Sequence, residues 1–187
     1  MSVGFTIEGR ARQLPDIQRT WLWELIVPNI NTLTDGVIAD EDDLVIRLRN
    51  AVIPSRANQV ITSNFLGMTQ KFPGKPEFGE SFSVTIEEME DQKGTQALYN
   101  WAQRIFDVEP TATGGLSKAT AKRAGMATDI KLLMYAYGNT PDPMKYKILF
   151  VNAWPSNVEE VPLAYDDNAA VRYTVSFTYD FWRLVEK

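Results

Sequence analysis

Acidic side chains are the only groups in this sequence whose spacing suggests catalytic chemistry. Asp40-Glu41-Asp42-Asp43, Glu87-Glu88 and Asp166-Asp167 each set carboxylates side by side. Paired carboxylates can serve as acid and nucleophile in glycoside hydrolysis, and an acidic run can hold a hard cation. None of the three has the pattern such work requires. Neighbours on a strand point to opposite faces, so Glu87 and Glu88 do not line one cleft. The run from Asp40 to Asp43 lacks the spacing and central glycine of a calcium loop. Asp166-Asp167-Asn168 lies between apolar segments and reads as a turn. The 187 residues contain no histidine and no cysteine. The usual general base, the thiol nucleophile, thiolate zinc ligands and disulfides are therefore missing. There is no phosphate-cradling glycine loop and no nucleophile elbow. Neither catalysis nor a cofactor nor a metal is expected.

Charge narrows the classes further. Twenty-four acids against 19 lysines and arginines give a net charge of -5, a poor balance for gripping phosphates. The longest apolar stretch, Trp21 to Val27, is interrupted by Glu24 and stopped by Pro28, far short of a membrane span. Met1 to Arg12 has no apolar core of a secretion signal, so synthesis in a cytosol-like compartment without membrane insertion is expected.

The elements that must position these residues are mostly strands. Trp21–Val27 is rich in aromatic and branched residues. Leu44–Ile53 alternates, with Leu44, Ile46 and Leu48 on one face and Arg47 and Arg49 on the other. Asn58–Gln70 reads as an unusually polar strand, followed by a turn cluster at Phe72-Pro73-Gly74-Lys75-Pro76. In Ser81–Glu87, Phe82, Val84 and Ile86 alternate with Ser83, Thr85 and Glu87. Asp129–Tyr137 and Met144–Val151 are further strands. Val171–Trp182 is the longest, with Thr174, Ser176 and Thr178 opposite an apolar face. One helix is expected: Leu98, Trp101, Ala102, Ile105 and Phe106 form a single stripe, with Leu98, Trp101 and Ile105 in the core, Asp91 as its cap and Pro110 just beyond its end. The expected fold is mainly β with one helix, a sandwich or barrel. Residues 1–19 form an N-terminal arm, and residues 20–187 a single domain with long loops at 29–43, 55–80 and 111–127. The tryptophans Trp21, Trp23 and Trp182 are assigned to core or subunit interface.

Long strands leave long edges, and exposed edges pair with other chains unless covered. The polar faces here carry small hydroxyl side chains rather than the lysines and glutamates of an ordinary solvated face. The C-terminal third then supplies a more specific pattern. Trp154-Pro155-Ser156-Asn157-Val158 is followed by Leu163-Ala164-Tyr165-Asp166-Asp167-Asn168, and then by Phe177-Thr178-Tyr179-Asp180-Phe181-Trp182. This order resembles the tail tube proteins of contractile-tailed bacteriophages. Ala51-Val52-Ile53-Pro54 before a polar strand, and Phe82–Ile86 leading to Tyr99-Asn100-Trp101, agree with it. Within the resemblance, Trp154, Pro155, Asn157, Asp166, Asn168, Tyr179 and Trp182 are the family-motif residues.

The resemblance implies a homo-hexameric ring whose strands join neighbouring subunits in a continuous inner β-barrel, the helix lying outside. Rings stack into a tube, residues 55–80 and 111–127 being the candidates to bridge them. DNA and the tape measure protein pass through the lumen without specific binding. Implied partners are the tail sheath, baseplate and tail terminator proteins, in a virion assembled in the host cytoplasm. The lumen would be lined by Thr62, Asn64, Ser83, Thr85, Glu87, Thr174, Ser176 and Thr178, with Glu87 the foremost candidate for lumenal acidity and Arg172 its counterweight. A baseplate tube initiator, the tube protein of a related contractile injection system, and a β-sandwich binding module stand as alternative readings.

Overall fold

The computed structural model describes residues 20, 22–105, 126–135, 144–161 and 169–185. In chain order the elements are β1 (Trp23–Ile26), α1 (Ile30–Leu33), α2 (Glu41–Val45), β2 (Leu48–Ala51), β3 (Arg56–Phe65), β4 (Met68–Phe78), β5 (Ser81–Glu87), α3 (Lys93–Ile105), β6 (Thr128–Tyr135), β7 (Met144–Val158), β8 (Arg172–Thr178) and β9 (Phe181–Val185). Seven strands form one antiparallel sheet in the order β1-β6-β7-β8-β5-β2, with β9 also paired to β7. β3 and β4 form a separate two-stranded hairpin. The path of the large sheet ends at β1 and β2, so the strands among the described residues do not close into a barrel.

β7 is the hinge of this sheet. Its first part pairs with β6 and β9, and its last residues pair with β8. Asn152 takes a positive φ of 54° at the corner. Its backbone N–H donates to Asp129 and its side-chain amide to Asp180, at 3.0 and 2.7 Å. The bend folds the two halves of the sheet over a common core. Phe82 from one half stacks on Phe150 from the other, centroids 4.1 Å apart. Leu25, Ile130, Leu132 and Ile148 meet Val84, Ile86, Tyr173, Val175 and Phe177 in the same cluster. α3 closes the core, with Leu98 and Trp101 buried and Ile105 packed on its margin. The Trp101 indole donates to the Met126 carbonyl at 2.7 Å, which satisfies the one polar atom that its burial would otherwise strand.

The start of α3 is anchored by acids and one buried cation. Glu88 leaves β5 on the side opposite to Glu87. Its carboxylate accepts the Gly94 and Thr95 N–H groups at 3.2 and 2.6 Å, groups with no partner inside the helix. Asp91 accepts the Lys93 N–H at 3.3 Å, so cap duty is shared between two acids. Arg47, 2% exposed, binds both Asp91 oxygens at 2.7 Å, Asp43 at 3.0 Å and approaches Glu88 at 3.6 Å.

Four expectations require correction. Residues 29–43 are not an irregular polar loop: α1 and the start of α2 lie there, and Ile30, Leu33 and Ile38 are core residues. Leu44–Ile53 is not one strand. α2 ends at Val45, Ile46 is exposed and Arg47 is buried, the reverse of simple alternation. Residues 55–80 are the β3–β4 hairpin rather than a loop, and its turn is Leu66-Gly67, with φ of 47° and 78°, not the proline cluster. Val171–Trp182 is broken at Tyr179-Asp180, opposite the Asn152 corner. Beyond the break Phe181 is exposed and Trp182 turns against the core. Residues 1–19, Trp21, Phe106, Pro110, residues 111–125 and Asp166-Asp167-Asn168 lie outside the described residues.

Replacing Arg47 by alanine leaves Glu88 without its cation and takes from Asp43 and Asp91 their shortest ion pairs, with only Lys93 at about 4 Å remaining to them. The expected outcome is a loss of about 3 kcal/mol, read from urea unfolding, with a larger effect than Arg49→Ala, whose side chain is exposed.

Candidate functional site: an open hydroxyl face and an apolar hairpin

β5 and β8 pair over seven residues without a register shift. The alternation of each strand therefore lines up across the pair. Phe82–Phe177, Val84–Val175 and Ile86–Tyr173 point into the core. Ser81–Thr178, Ser83–Ser176, Thr85–Thr174 and Glu87–Arg172 point the other way. β7 widens this face with Trp154 opposite Thr178 and Asn157 opposite Ser176, and β2 adds Asn50 opposite Thr85. The result is a sheet face of short hydroxyl and amide groups, most of them half-buried, with no element packed over it among the described residues. Such groups bond water readily and offer neither a long apolar stem nor a fixed charge to a passing solute.

Charge is confined to one end of the face. Arg49 Nη2 donates to one Glu87 oxygen at 2.8 Å. Arg172 donates to the other through Nε at 2.8 Å, and its Nη2 lies 2.7 Å from the same oxygen. The hydrogen bond from Arg49, then that from Arg172, holds the Glu87 carboxyl down to about 2. The same contact raises the Arg49 guanidinium. The sequence makes Glu87 the foremost candidate for lumenal acidity; in the folded chain its carboxylate is paired with two guanidiniums, and Arg172 shares its face.

The second surface is the hairpin. Cross-strand partners share a face, and here the two faces differ. Ile61–Phe72 and Phe65–Met68 lie on one side, flanking Ser63–Gln70. Thr62–Lys71 and Asn64–Thr69 lie on the other, where Thr69 donates to Asn64 at 2.9 Å. Leu66 at the tip is 88% exposed, and Phe65 and Met68 are each 70% exposed. Exposed apolar side chains this concentrated mark a contact surface. The root of the hairpin is held: Phe78 meets Trp182 edge-on at 6.2 Å, Arg56 lies over the Phe78 ring, and the Tyr179 hydroxyl donates to the Gly79 carbonyl.

The sequence pattern of the phage tail tube protein family matches residues 20–185. The chain belongs to the phage tail tube protein family. No curated protein matches it in sequence. Solved structures match it in fold. The tube-terminating cap of the anti-feeding prophage is 11% identical, with a TM-score of 0.62 over 93% of this chain and 94% of that one. The sheath/tube terminator of an extracellular contractile injection system is 12% identical, with a TM-score of 0.58 over 92% and 99%. The sheath-tube complex of such a system is 12% identical, with a TM-score of 0.56 over 98% and 100%.

On this tail tube fold the eight residues expected to share one lining do not all come together. Ser83, Thr85, Glu87, Thr174, Ser176 and Thr178 share the β5–β8 face. Thr62 and Asn64 stand apart on the polar side of the hairpin. Of the motif residues, Trp154 and Asn157 lie on the hydroxyl face, Pro155 and Tyr179 are buried, and Trp182 packs at the hairpin root. Arg49 and the hairpin's apolar face were missed. Arg49 carried a signal, since it alternates with buried Leu48; the hairpin face was hidden by a misplaced turn. Among the described residues no group of acids is placed to hold a metal ion, and no helix is long and apolar enough to cross a membrane.

A depressed folded-state pKa means that the Glu87 pair stabilises fully above the ordinary glutamate range and loses its contribution as pH falls toward 2. Carbon-detected NMR titration of Glu87 should give a midpoint near 2, and Arg172→Gln should raise it toward about 4.3. A native midpoint above 4 would contradict the geometry.

Proposed function

We propose that this chain is the repeating subunit of a tail tube. Six copies form a ring, and rings stack head to tail into a hollow conduit for DNA and the tape measure protein. The observation that carries this reading is the unbroken β5–β8 register, which sets a core on one side and an open hydroxyl face on the other. A water-filled lumen uses such a face, whereas an ordinary solvated sheet face carries longer charged side chains. The sheet ends at β1 and β2, unpaired among the described residues, support closure by neighbours, since pairing is one way to remove an exposed edge. The hairpin bridges rings: its apolar side seats on the next ring, and its polar side, with Thr62 and Asn64, continues the lining. A heterologous contact of this kind repeats without closing, as a filament requires. The subunit acts as a wall and performs no catalysis. A sheath surrounds the tube, a baseplate and a terminator bound it, and the virion is assembled in the host cytoplasm.

A second reading has one observation in its favour. The fold likeness extends over whole chains of contractile injection systems, including a terminating cap and a sheath-tube complex. A tube-end component, or the tube of such a system, would keep the same wall and differ in what it delivers.

Polymerisation separates assembly from folding. The wild-type protein should form tubes in negative stain. Leu66→Asp with Phe65→Asp should leave the circular dichroism spectrum and the melting temperature nearly unchanged, since both side chains are solvent-exposed, and should abolish tubes. Tubes formed by this variant would remove the hairpin from stacking; a wild-type monomer at high concentration would remove the tube itself. Thr174→Lys should preserve tubes while impairing DNA passage, and gross misfolding of that variant would show that its face is buried.

A further inference from the structure

We propose that Glu87 serves as a built-in counter-ion that keeps Arg49 and Arg172 from gripping the phosphates of nucleic acid moving along the hydroxyl face. The inference rests on the tail tube reading. Two arginines on an open face of hydroxyl groups are what a phosphate-binding surface requires, because a guanidinium fork matches phosphate oxygens in bidentate fashion. Repeated around a ring and along a tube, such forks would hold a polyanion through many contacts at once.

The geometry reduces that capacity by giving each arginine a carboxylate partner within the face. Arg172 donates its Nε–H to Glu87 Oε2, and its Nη2 forms an ion pair with the same oxygen. Arg49 gives Nη2 to Oε1, while its Nη1 donates to the Ile46 and Leu48 carbonyls at 3.0 and 3.2 Å. One carboxylate thus engages two forks from two different strands. It can do so because Glu87 is the cross-strand partner of Arg172 in the β5–β8 ladder, and β2 pairs along the other edge of β5. Glu159 and Glu160 line the same depression as Arg172, Thr85 and Thr174 and add negative charge there. The pairing contributes to stability, and it has a second consequence. That consequence is electrostatic: the arginines stay available for sheet geometry and are withheld from a passing ligand.

The test compares full-length wild-type and Glu87→Gln tubes in co-sedimentation with a short fluorescent DNA duplex. Wild-type tubes should leave the duplex in the supernatant. Glu87→Gln tubes should retain at least about tenfold more at about 50 mM salt and release it by about 200 mM, the steep dependence that phosphate contacts impose. The double variant Glu87→Gln, Arg172→Gln should return retention toward the wild-type level. Equal retention by wild-type and Glu87→Gln tubes would overturn the proposal. Should Glu87→Gln not polymerise, fluorescence anisotropy on unassembled subunits makes the same comparison, and no gain in DNA affinity there would overturn it as well. Absence of wild-type tubes in the same preparations would instead count against the tube reading and is visible separately by microscopy.

Discussion

The in-register pairing of β5 with β8 is the constraint on which the rest of this structure depends. Strand side chains alternate with a period of two, so a slip of one residue would send Phe82, Val84 and Ile86 outward and the hydroxyls inward. Seven consecutive partners without a bulge forbid that slip. One set of hydrogen bonds therefore fixes the aromatic core, the open face and the placement of Glu87 between two arginines. Most other features either hold this pair in place or extend it.

The supports lie at its two ends. At the Glu87 end the chain divides its acids: Glu87 stays on the open face, while Glu88 turns inward to the first turn of α3 beside buried Arg47. Helix, strand and the α2 turn are thereby bound through one cation. At the Thr178 end, Asn152 bends β7 and binds Asp180, which lets one strand pair with β8 and then with β9. The bend brings Phe150 under Phe82 and converts a flat sheet into a two-sided core. The family's structural role fits such a division, with a rigid wall on one side and contact elements projecting from it.

Much of the wall was legible in the sequence, because alternation and helical spacing are direct consequences of burial. β5, β6, β8 and the α3 stripe show this. The hidden parts share one cause: local signals that tertiary structure overrides. Pro73 and Pro76 look like turn residues, yet a two-stranded hairpin consists only of edges and tolerates prolines on its unpaired side. The real turn uses Leu66 before Gly67, and leucine at a positive φ gives no turn signature. Gly74 is required where a Cβ would come within 2.9 Å of the Gln59 carbonyl oxygen, a contact created only by pairing. Arg47 looks like a solvated strand residue, because the carboxylate of Asp91 that buries it lies 44 positions away. The break at Tyr179-Asp180 answers a corner in a different strand, so no window around it reveals it.

The central claim is that the β5–β8 hydroxyl face lines a lumen. A helical reconstruction of the purified polymer by electron cryo-microscopy, at a resolution that shows side chains, tests it most directly. The account predicts a hollow tube with Ser83, Thr85, Thr174 and Ser176 facing the channel and the hairpin of one ring seated on the next. A polymer with that face packed against neighbouring subunits, or with the channel lined by other strands, would contradict it.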